Sequence, residues 1–448
     1  MTTNTSKENT SKEDSREVQE FTIHIPDADL DDMYERLRRT RFPRDFANDD
    51  WEYGFPTEYL REVVDYWINE YDWRETEQAM NEMAPHFKTT IDGMPIHFLH
   101  KRGTGPNPMP LLLHHGWPWT FWDLRKVIGP LTDPASHGGD PADSFDVVLI
   151  SLPGFGFSTP LTQTGLNWWR TADLENTLMK EILGYERYAT AGGDWGALIA
   201  EQHGHKYEED VIGVYTHLPL QLSHYLGEHP DVPEGIDYNY AVGIVEPSEY
   251  GEDEEGWYER GQLFIGAEGG YGAIQITRPH TIGELLNDSP AGQLAWVGEK
   301  RYFWGLPTRG PGIEALEKVH PKHDLATNAS VYYLTETGVS SARYYRECVL
   351  NAWKPSHDRF PVVGAPTAVG IYLGEIFMNP RKWTEKYFNL QQYRVHDEGG
   401  HFAPVEVPDI YVDEREYVLR PVPLEAVVRR REGLKGAVRG SPPRAATR

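Results

Sequence analysis

An aspartate stands at the centre of a Gly-Gly-Asp-Trp-Gly stretch, residues 192–196, which is the most informative pattern in the chain. An apolar run precedes it at residues 188–191, and a helix-forming run follows at residues 197–202. Small residues at a strand-to-helix junction permit the sharp turn called a nucleophile elbow, which exposes the central side chain. The carboxylate of Asp194 is ionised at neutral pH and forms an ester when it attacks carbon. The pattern therefore predicts a nucleophile for a strained or activated carbon electrophile.

The base that such a nucleophile requires is predicted late in the chain. His401 follows the last apolar strand-like run, in a Gly-Gly-His-Phe stretch whose glycines let the loop carry the imidazole back over a sheet. A histidine base needs a carboxylate that fixes its tautomer. Glu375 follows the preceding strand-like run, so the chain order is nucleophile, acid, histidine, as in α/β-hydrolases. Asp397 is the alternative acid because it lies closer to His401 in sequence.

Backbone donors for an oxyanion are predicted at two tryptophans. Trp117 lies in a His-Gly-Trp-Pro stretch after the first long core strand, and Trp195 directly follows the proposed nucleophile. We expect the backbone amides of these two residues to form the oxyanion hole. Their indoles, together with Phe155 and Phe157, predict the walls of an apolar substrate pocket.

The composition narrows the classes of partner. The chain has 448 residues, 69 Asp and Glu against 43 Lys and Arg, and a formal net charge of -26. Such acidity argues against a nucleic acid or an anionic membrane as partner. Cys348 is the single cysteine, which excludes an intrachain disulfide and favours a reducing cytoplasm. No apolar run reaches the roughly 20 residues that span a bilayer, so no membrane anchor is expected.

No metal-ligand cluster or cofactor motif is evident, so we expect neither a metal ion nor an organic cofactor. His114 and His115, which precede Trp117, are interpreted as structural. The reaction is expected to need only the small substrate and water, and the protein is a possible homodimer.

The elements that must position these residues follow an α/β pattern. An amino-terminal part with three helical patterns, the first capped by Asp27 or Asp29, leads into a hairpin with an Asp-Gly turn. Short apolar runs then alternate with helical patterns, as in a buried parallel sheet. We predict an α/β-hydrolase fold, a mostly parallel sheet flanked by helices, with an amino-terminal helical segment and a helical cap inserted after the sixth core strand. The predicted boundaries are a disordered leader at 1–17, the amino-terminal helical segment and first hairpin at 18–105, the first part of the core at 106–218, the cap at 219–345, the second part of the core at 346–419, and a basic disordered tail at 420–448.

Three of these motifs in this order, His-Gly-Trp-Pro, Gly-Gly-Asp-Trp-Gly and Gly-Gly-His-Phe, resemble those of the epoxide hydrolases of the α/β-hydrolase superfamily. Residues 37–43, 71–74 and 91–93 resemble the amino-terminal domain of the microsomal and juvenile-hormone branch. The resemblance covers about residues 20 to 412 and implies cofactor-free addition of water to a hydrophobic epoxide. Animal members of the branch carry a membrane anchor that this chain lacks, so we expect a soluble, bacterial-type enzyme.

In that branch two cap tyrosines hold the epoxide oxygen. The sequences around Tyr271 and Tyr345 resemble the flanks of those tyrosines, and Tyr344 is the adjacent alternative for the second one. The resemblance thus implies an epoxide hydrolase that acts through a covalent aspartyl ester and releases a vicinal diol. The alternatives are a haloalkane or haloacid dehalogenase, which uses the same Asp-His-acid set, and a catalytically silent binding protein of the same fold.

Overall fold

A computed structural model describes residues 16–220, 222 and 245–419. The predicted tail, residues 420–448, lies outside the described residues, and so does almost all of the predicted leader, residues 1–17. Of the predicted cap, residues 221 and 223–244 also lie outside them.

The strands of the described residues are β1 Gln19–Phe21, β2 His86–Ile91, β3 Met94–Lys101, β4 Met109–Leu113, β5 Phe145–Ser151, β6 Tyr188–Gly192, β7 Val211–Thr216, β8 Val363–Gly374 and β9 Phe388–Gly400. The α-helices are α1 Asp27–Arg38, α2 Thr57–Asn69, α3 Trp73–Met83, α4 Arg125–Thr132, α5 Trp168–Thr177, α6 Trp195–Lys206, α7 Trp257–Glu268, α8 Gly270–Thr277, α9 Pro279–Asp288, α10 Pro290–Phe303, α11 Leu306–Arg309, α12 Ile313–Val319, α13 Lys322–Leu334, α14 Thr337–Leu350, α15 Arg381–Tyr387, α16 Ala403–Glu406 and α17 Pro408–Leu419.

One sheet joins these strands in the order β1-β2-β3-β5-β4-β6-β7-β8-β9. Strands β1, β2 and β3 pair antiparallel, β3 pairs antiparallel with β5, and the pairs from β5 to β9 are parallel. All seven residues of β5 are buried, as expected for a parallel strand covered on both faces. The carboxyl ends of parallel strands share one edge of the sheet, so the loops after β4, β6, β8 and β9 meet there. The predicted α/β-hydrolase fold is therefore the observed one.

The amino-terminal part differs from the prediction in two details. Helix α1 begins after Pro26 and no side chain caps it, so capping by Asp27 or Asp29 is wrong. Both aspartates lie in the first turn, where they face the positive end of the helix dipole. The edge strand β1 was not predicted, because three residues are too few to show a period.

Between β7 and β8 the described chain is helical, from α7 to α14. Arg301 of α10 holds this insertion against the core. Its guanidinium donates to both carboxylate oxygens of Asp123, at 2.8 and 3.0 Å, and to the carbonyl oxygen of Pro118 at 2.9 Å. The insertion is thus fixed to the loop that carries Trp117.

Among the residues that the structure describes, none of the helices combines the length and the apolar character needed to cross a membrane.

Candidate active site

The turn between β6 and α6 holds Asp194 in an unusual backbone conformation, with φ 54° and ψ -129°. A positive φ is strained for a residue with a side chain and is maintained only where the surroundings enforce it. Two neighbouring glycines make this turn possible. A Cβ at Gly193 would overlap the ring of His217, and a Cβ at Gly196 would lie 2.7 Å from the Cβ of His114. The Gly-Gly-Asp-Trp-Gly stretch therefore forms an elbow that presents the Asp194 carboxylate.

The two oxygens of Asp194 have different surroundings. The backbone N–H of Trp117, in the loop after β4, donates to Oδ1 at 2.7 Å. Oδ2 lies 3.5 Å from Nε2 of His401. Trp195 is the first residue of α6, which places its backbone N–H at the start of that helix. Oδ1 thus already contacts a backbone donor, and Oδ2 faces the imidazole.

His401 and Glu375 form a buried pair behind Asp194. Nδ1 of His401 donates to Oε1 of Glu375 at 2.7 Å, and the backbone N–H of Ile376 donates to the same oxygen at 2.7 Å. This hydrogen bond places a proton on Nδ1 and directs Nε2 towards Asp194. Asp397, the alternative acid, is exposed on β9.

The electrostatics of this pair favour a charged imidazole. Burial opposes the charged form of His401, but Glu375 and Asp194 outweigh it and raise the pKa of His401 to about 9. Burial alone would raise the pKa of Glu375, yet the neighbouring His401 and His217 rings hold it below its usual value. In this state, with Asp194 ionised, the ring holds its proton at neutral pH.

Two further ionisable residues surround the pair, and the sequence analysis did not single them out. Nε2 of His217, just after β7, lies 3.7 Å from Oε2 of Glu375. Glu406 accepts the backbone N–H of Phe402 at 2.9 Å, and burial raises the pKa of this carboxyl to about 7. The signal for His217 was its place after a parallel strand, at the same sheet edge as the other site loops.

The two proposed cap tyrosines lie together against Trp117 and Trp195, the two tryptophans next to Asp194. Tyr271 stacks on Trp117 with ring centroids 4.9 Å apart and an interplanar angle of 6°. The ring of Tyr345 is 6.0 Å from that of Tyr271 and 4.6 Å from that of Trp195. The hydroxyl of Tyr344, in contrast, lies 2.8 Å from Oγ1 of Thr171. The surroundings therefore favour Tyr345 over Tyr344 as the partner of Tyr271.

The proposed pocket aromatics separate into two groups. Trp117 and Trp195 flank the tyrosine pair, and Phe155 packs edge-on against Tyr344. Phe157 turns away, because its ring packs against three aromatic rings elsewhere, those of Phe21, His97 and Phe121. It lines a cavity of about 990 Å³ whose lining includes Tyr344 but not Trp117, Trp195 or Phe155, so the structure does not bring Phe157 to the other pocket residues.

A buried polar cluster near the elbow consists of His114, Glu175 and His203. Among the described residues, these three side chains form the group whose ligand atoms are close enough together to hold a metal ion. Nε2 of each histidine contacts the same oxygen of Glu175, at 2.8 and 3.1 Å. Nδ1 of His114 contacts the carbonyl oxygen of Ala191 at 3.2 Å, so both ring nitrogens of His114 face acceptors when Glu175 is ionised. Despite its burial, the histidines hold the pKa of Glu175 below its usual value. The contacts describe a hydrogen-bonded network that supports the strand before the elbow.

Comparison with known proteins identifies two families along the chain. The family model "Epoxide hydrolase N terminus" matches residues 18–124, and the model "alpha/beta hydrolase fold" matches residues 109–241. Epoxide hydrolase 1 of Oryctolagus cuniculus is 34% identical over 404 residues, which are 88% of this chain and 86% of that protein.

Solved structures give the same result. An enantioselective mutant of epoxide hydrolase from Aspergillus niger superimposes with a TM-score of 0.73 at 26% identity, covering 94% of this chain and 98% of that one. Juvenile hormone epoxide hydrolase from the silkworm Bombyx mori superimposes with a TM-score of 0.71 at 27% identity, covering 94% and 96%.

Proposed function

The chain belongs to the epoxide hydrolases of the α/β-hydrolase fold, and on that premise we propose that it opens a hydrophobic epoxide through a covalent ester of Asp194 and releases a vicinal diol. One observation carries this proposal: the Asp194 carboxylate lies between the Trp117 amide at 2.7 Å and the His401 imidazole at 3.5 Å.

In the first half-reaction Oδ2 of Asp194 attacks an epoxide carbon. The carbon–oxygen bond of the epoxide breaks, and the hydroxyls of Tyr271 and Tyr345 donate to the departing oxygen. A phenol suits this role because its pKa near 10 lies between those of water and an imidazolium, so it donates strongly to a developing alkoxide. The packing of Tyr271 and Tyr345 against Trp117, whose backbone N–H contacts Asp194, supports this assignment.

In the second half-reaction water attacks the ester carbonyl carbon of Asp194. His401, oriented by Glu375, takes the proton from that water. Oδ1 becomes the oxyanion, and the amides of Trp117 and Trp195 stabilise it. The departing alkoxide then takes the proton from His401. The released diol contains the oxygen atom that was Oδ2 of Asp194, and an oxygen from water replaces it in the carboxylate.

The charge state of His401 fits this order of steps. The ring is protonated while Asp194 is ionised, because the carboxylate contributes to the raised pKa. Esterification removes the charge on Asp194 and thereby lowers the pKa of His401. The ring then releases its proton to solvent, and the neutral imidazole is a base at the stage when water has to be deprotonated. It takes a proton from solvent again once Asp194 is ionised.

The dehalogenase alternative has less support. A dehalogenase needs donors for a halide ion, whereas Tyr271 and Tyr345 provide a pair of phenols packed against Trp117 and Trp195. The relatives reported above are also named epoxide hydrolases. The pocket aromatics favour a hydrophobic epoxide; the cytoplasmic location and the possible homodimer remain predictions.

A single turnover in ¹⁸O-labelled water, with enzyme in excess over an aryl epoxide, tests the proposal. We expect an unlabelled diol and label in Asp194, because the oxygen transferred to carbon comes from Oδ2. In His401→Gln an adduct of one substrate mass should accumulate on the peptide that contains Asp194. Asp397→Asn, at an exposed carboxylate, is the matched control and should turn over normally. A fully labelled diol together with no adduct would instead indicate direct attack by water.

A further inference from the structure

Lys300 occupies an unusual place for a lysine. It lies on α10 and is only 3% exposed. Its ammonium lies 5.3 Å from the ring centroid of Tyr271 and 5.6 Å from that of Trp296. Lysine is almost never buried to this degree unless its charge is compensated. The buried charge therefore lies against the ring of one of the two proposed oxygen donors.

Two carboxyl groups face this ammonium. Glu299, the preceding residue on α10, contacts it at 3.0 Å, and its side chain is 25% exposed. Glu268 lies on α7, where burial raises the pKa of its carboxyl and Lys300 opposes that increase. Glu299 is adjacent in sequence and partly solvated, so this ion pair alone does not explain why the ammonium lies over two aromatic rings. A cation over an aromatic ring is attracted by the ring's electrons, and more strongly when both are removed from water.

We propose that Lys300 is a positioning residue for epoxide opening, whose ammonium stabilises the negative charge that Tyr271 acquires when its proton passes to the epoxide oxygen. This inference rests on the proposed function. The bond between Oδ2 of Asp194 and carbon forms as the carbon–oxygen bond breaks, and the epoxide oxygen takes the phenol proton. After ester hydrolysis Asp194 is regenerated as the acid, and it returns one proton to the phenolate through the site water. No further reactant is needed.

The movement of charge explains why a buried cation belongs at this position. Before alkylation the negative charge is on Asp194, beside His401. After alkylation Asp194 is a neutral ester and the charge is on Tyr271. One negative charge therefore moves from the His401 side of the site to the Lys300 side. A fixed ammonium next to the second position stabilises the charge that develops on the phenol in the transition state more than it stabilises the reactant, which is the condition for acceleration.

The experiment separates the two half-reactions. Adduct formation on Asp194, measured by rapid quench and mass spectrometry in the His401→Gln background, reports alkylation alone. We expect Lys300→Met to slow it about 30-fold, which corresponds to about 2 kcal/mol, as for a desolvated cation over an aromatic ring. Lys300→Arg should retain most of the rate because the charge remains, and Lys300→Gln provides a second neutral variant if Lys300→Met folds poorly. Ester hydrolysis with His401 present should be unchanged.

Lys206→Met is the matched control. Its ammonium also lies 5.3 Å from a tyrosine ring centroid, that of Tyr207, but Lys206 is on the last turn of α6, at the opposite end of that helix from the elbow. We expect this variant to alkylate at the normal rate.

A double-variant cycle distinguishes an electrostatic role from a packing role. In the Tyr271→Phe background there is no phenol to lose a proton, so Lys300→Met should have little further effect on alkylation. An equal slowing by Lys300→Met in both backgrounds, or no slowing in the presence of Tyr271, would overturn the inference. Either result leaves the proposed function intact as long as the adduct still forms on Asp194, whereas absence of any adduct would contradict the proposed function itself.

Discussion

Nε2 of His401 lies 3.5 Å from Oδ2 of Asp194, so the proposed base and nucleophile are an electrostatic pair before any substrate arrives. Burial would keep the imidazole neutral, but Glu375 and this aspartate raise its pKa to about 9. In the proposed cycle the first half-reaction converts Asp194 to a neutral ester. Alkylation of Asp194 thereby lowers the pKa of His401, so the imidazole can act as the base in the ester hydrolysis that follows.

The first prediction concerns this coupling. Asp194→Ala removes one of the two carboxylates that raise the pKa of His401, so the pKa of the ring should fall below about 9. An NMR titration of the His401 ring, assigned by comparison with His401→Gln, measures the change. Asp397→Ala removes an exposed carboxylate and should leave the titration as it is in the wild type. An unchanged pKa of His401 in Asp194→Ala would show that Asp194 does not contribute to the raised pKa.

The second prediction links the same group to stability. Because the pKa of His401 is raised in the folded protein, its contribution to stability is complete below the ordinary value of 6.5 and is lost as the pH rises through about 9. A change of this size corresponds to about 3 kcal/mol for a buried group. The free energy of unfolding of the wild type should therefore fall, relative to that of His401→Gln, between these pH values.

Urea denaturation at a series of pH values measures this difference. His280→Gln replaces an exposed histidine and should follow the wild-type curve. Parallel pH dependences for the wild type and His401→Gln would mean that His401 binds its proton no more tightly in the folded state.

The sequence predicted the backbone of the candidate site well because its turns require particular residues. The positive φ of Asp194 and the contacts of Gly193 and Gly196 leave little choice of residue type at the elbow. Glu375 and His401 follow two adjacent parallel strands, so their chain positions alone place both at one edge of the sheet.

Other parts depend on contacts that no spacing reveals. Tyr271 and Tyr345 were identified by resemblance, since nothing in the sequence distinguishes them among 25 tyrosines. The sequence does not distinguish Lys300 from other helical lysines, because its contact with Tyr271 is evident only in the packed structure. Phe157 was predicted to line the pocket with Phe155 and the two tryptophans, but its ring packs against Phe21 at the end of the unpredicted edge strand β1.

The third prediction tests the tyrosine pair. Tyr271→Phe and Tyr345→Phe each remove one donor to the opening oxygen and should slow alkylation by about 100-fold or more. The effect should appear in adduct formation in the His401→Gln background and not in ester hydrolysis. The control is Tyr344→Phe, which loses the hydrogen bond to Thr171 and should reduce stability by about 1 kcal/mol with little change in alkylation. Slow alkylation in Tyr344→Phe with a normal rate in Tyr345→Phe would reverse the choice between these neighbours.

The fourth prediction concerns the connection between the helical insertion and the core. Arg301 and Asp123 are almost fully buried, and Arg301 also donates to the carbonyl of Pro118, next to Trp117. Arg301→Met leaves the carboxylate of Asp123 buried without its cation, which should cost about 3–5 kcal/mol of stability in denaturant unfolding. Combining Arg301→Met with Asp123→Asn should recover part of this stability, because the double variant has no uncompensated buried carboxylate.

The matched control for this pair is on the surface. Arg359 contacts Glu208 at 2.7 Å with both side chains partly exposed, so Arg359→Met should cost at most about 1 kcal/mol. Arg301→Met should also slow ester hydrolysis in the protein that remains folded, since it loosens the loop whose Trp117 amide contacts Oδ1 of Asp194. A loss no larger than that of Arg359→Met, with a normal hydrolysis rate, would show that the insertion is held in place by its apolar contacts and that Arg301 is dispensable for the oxyanion loop.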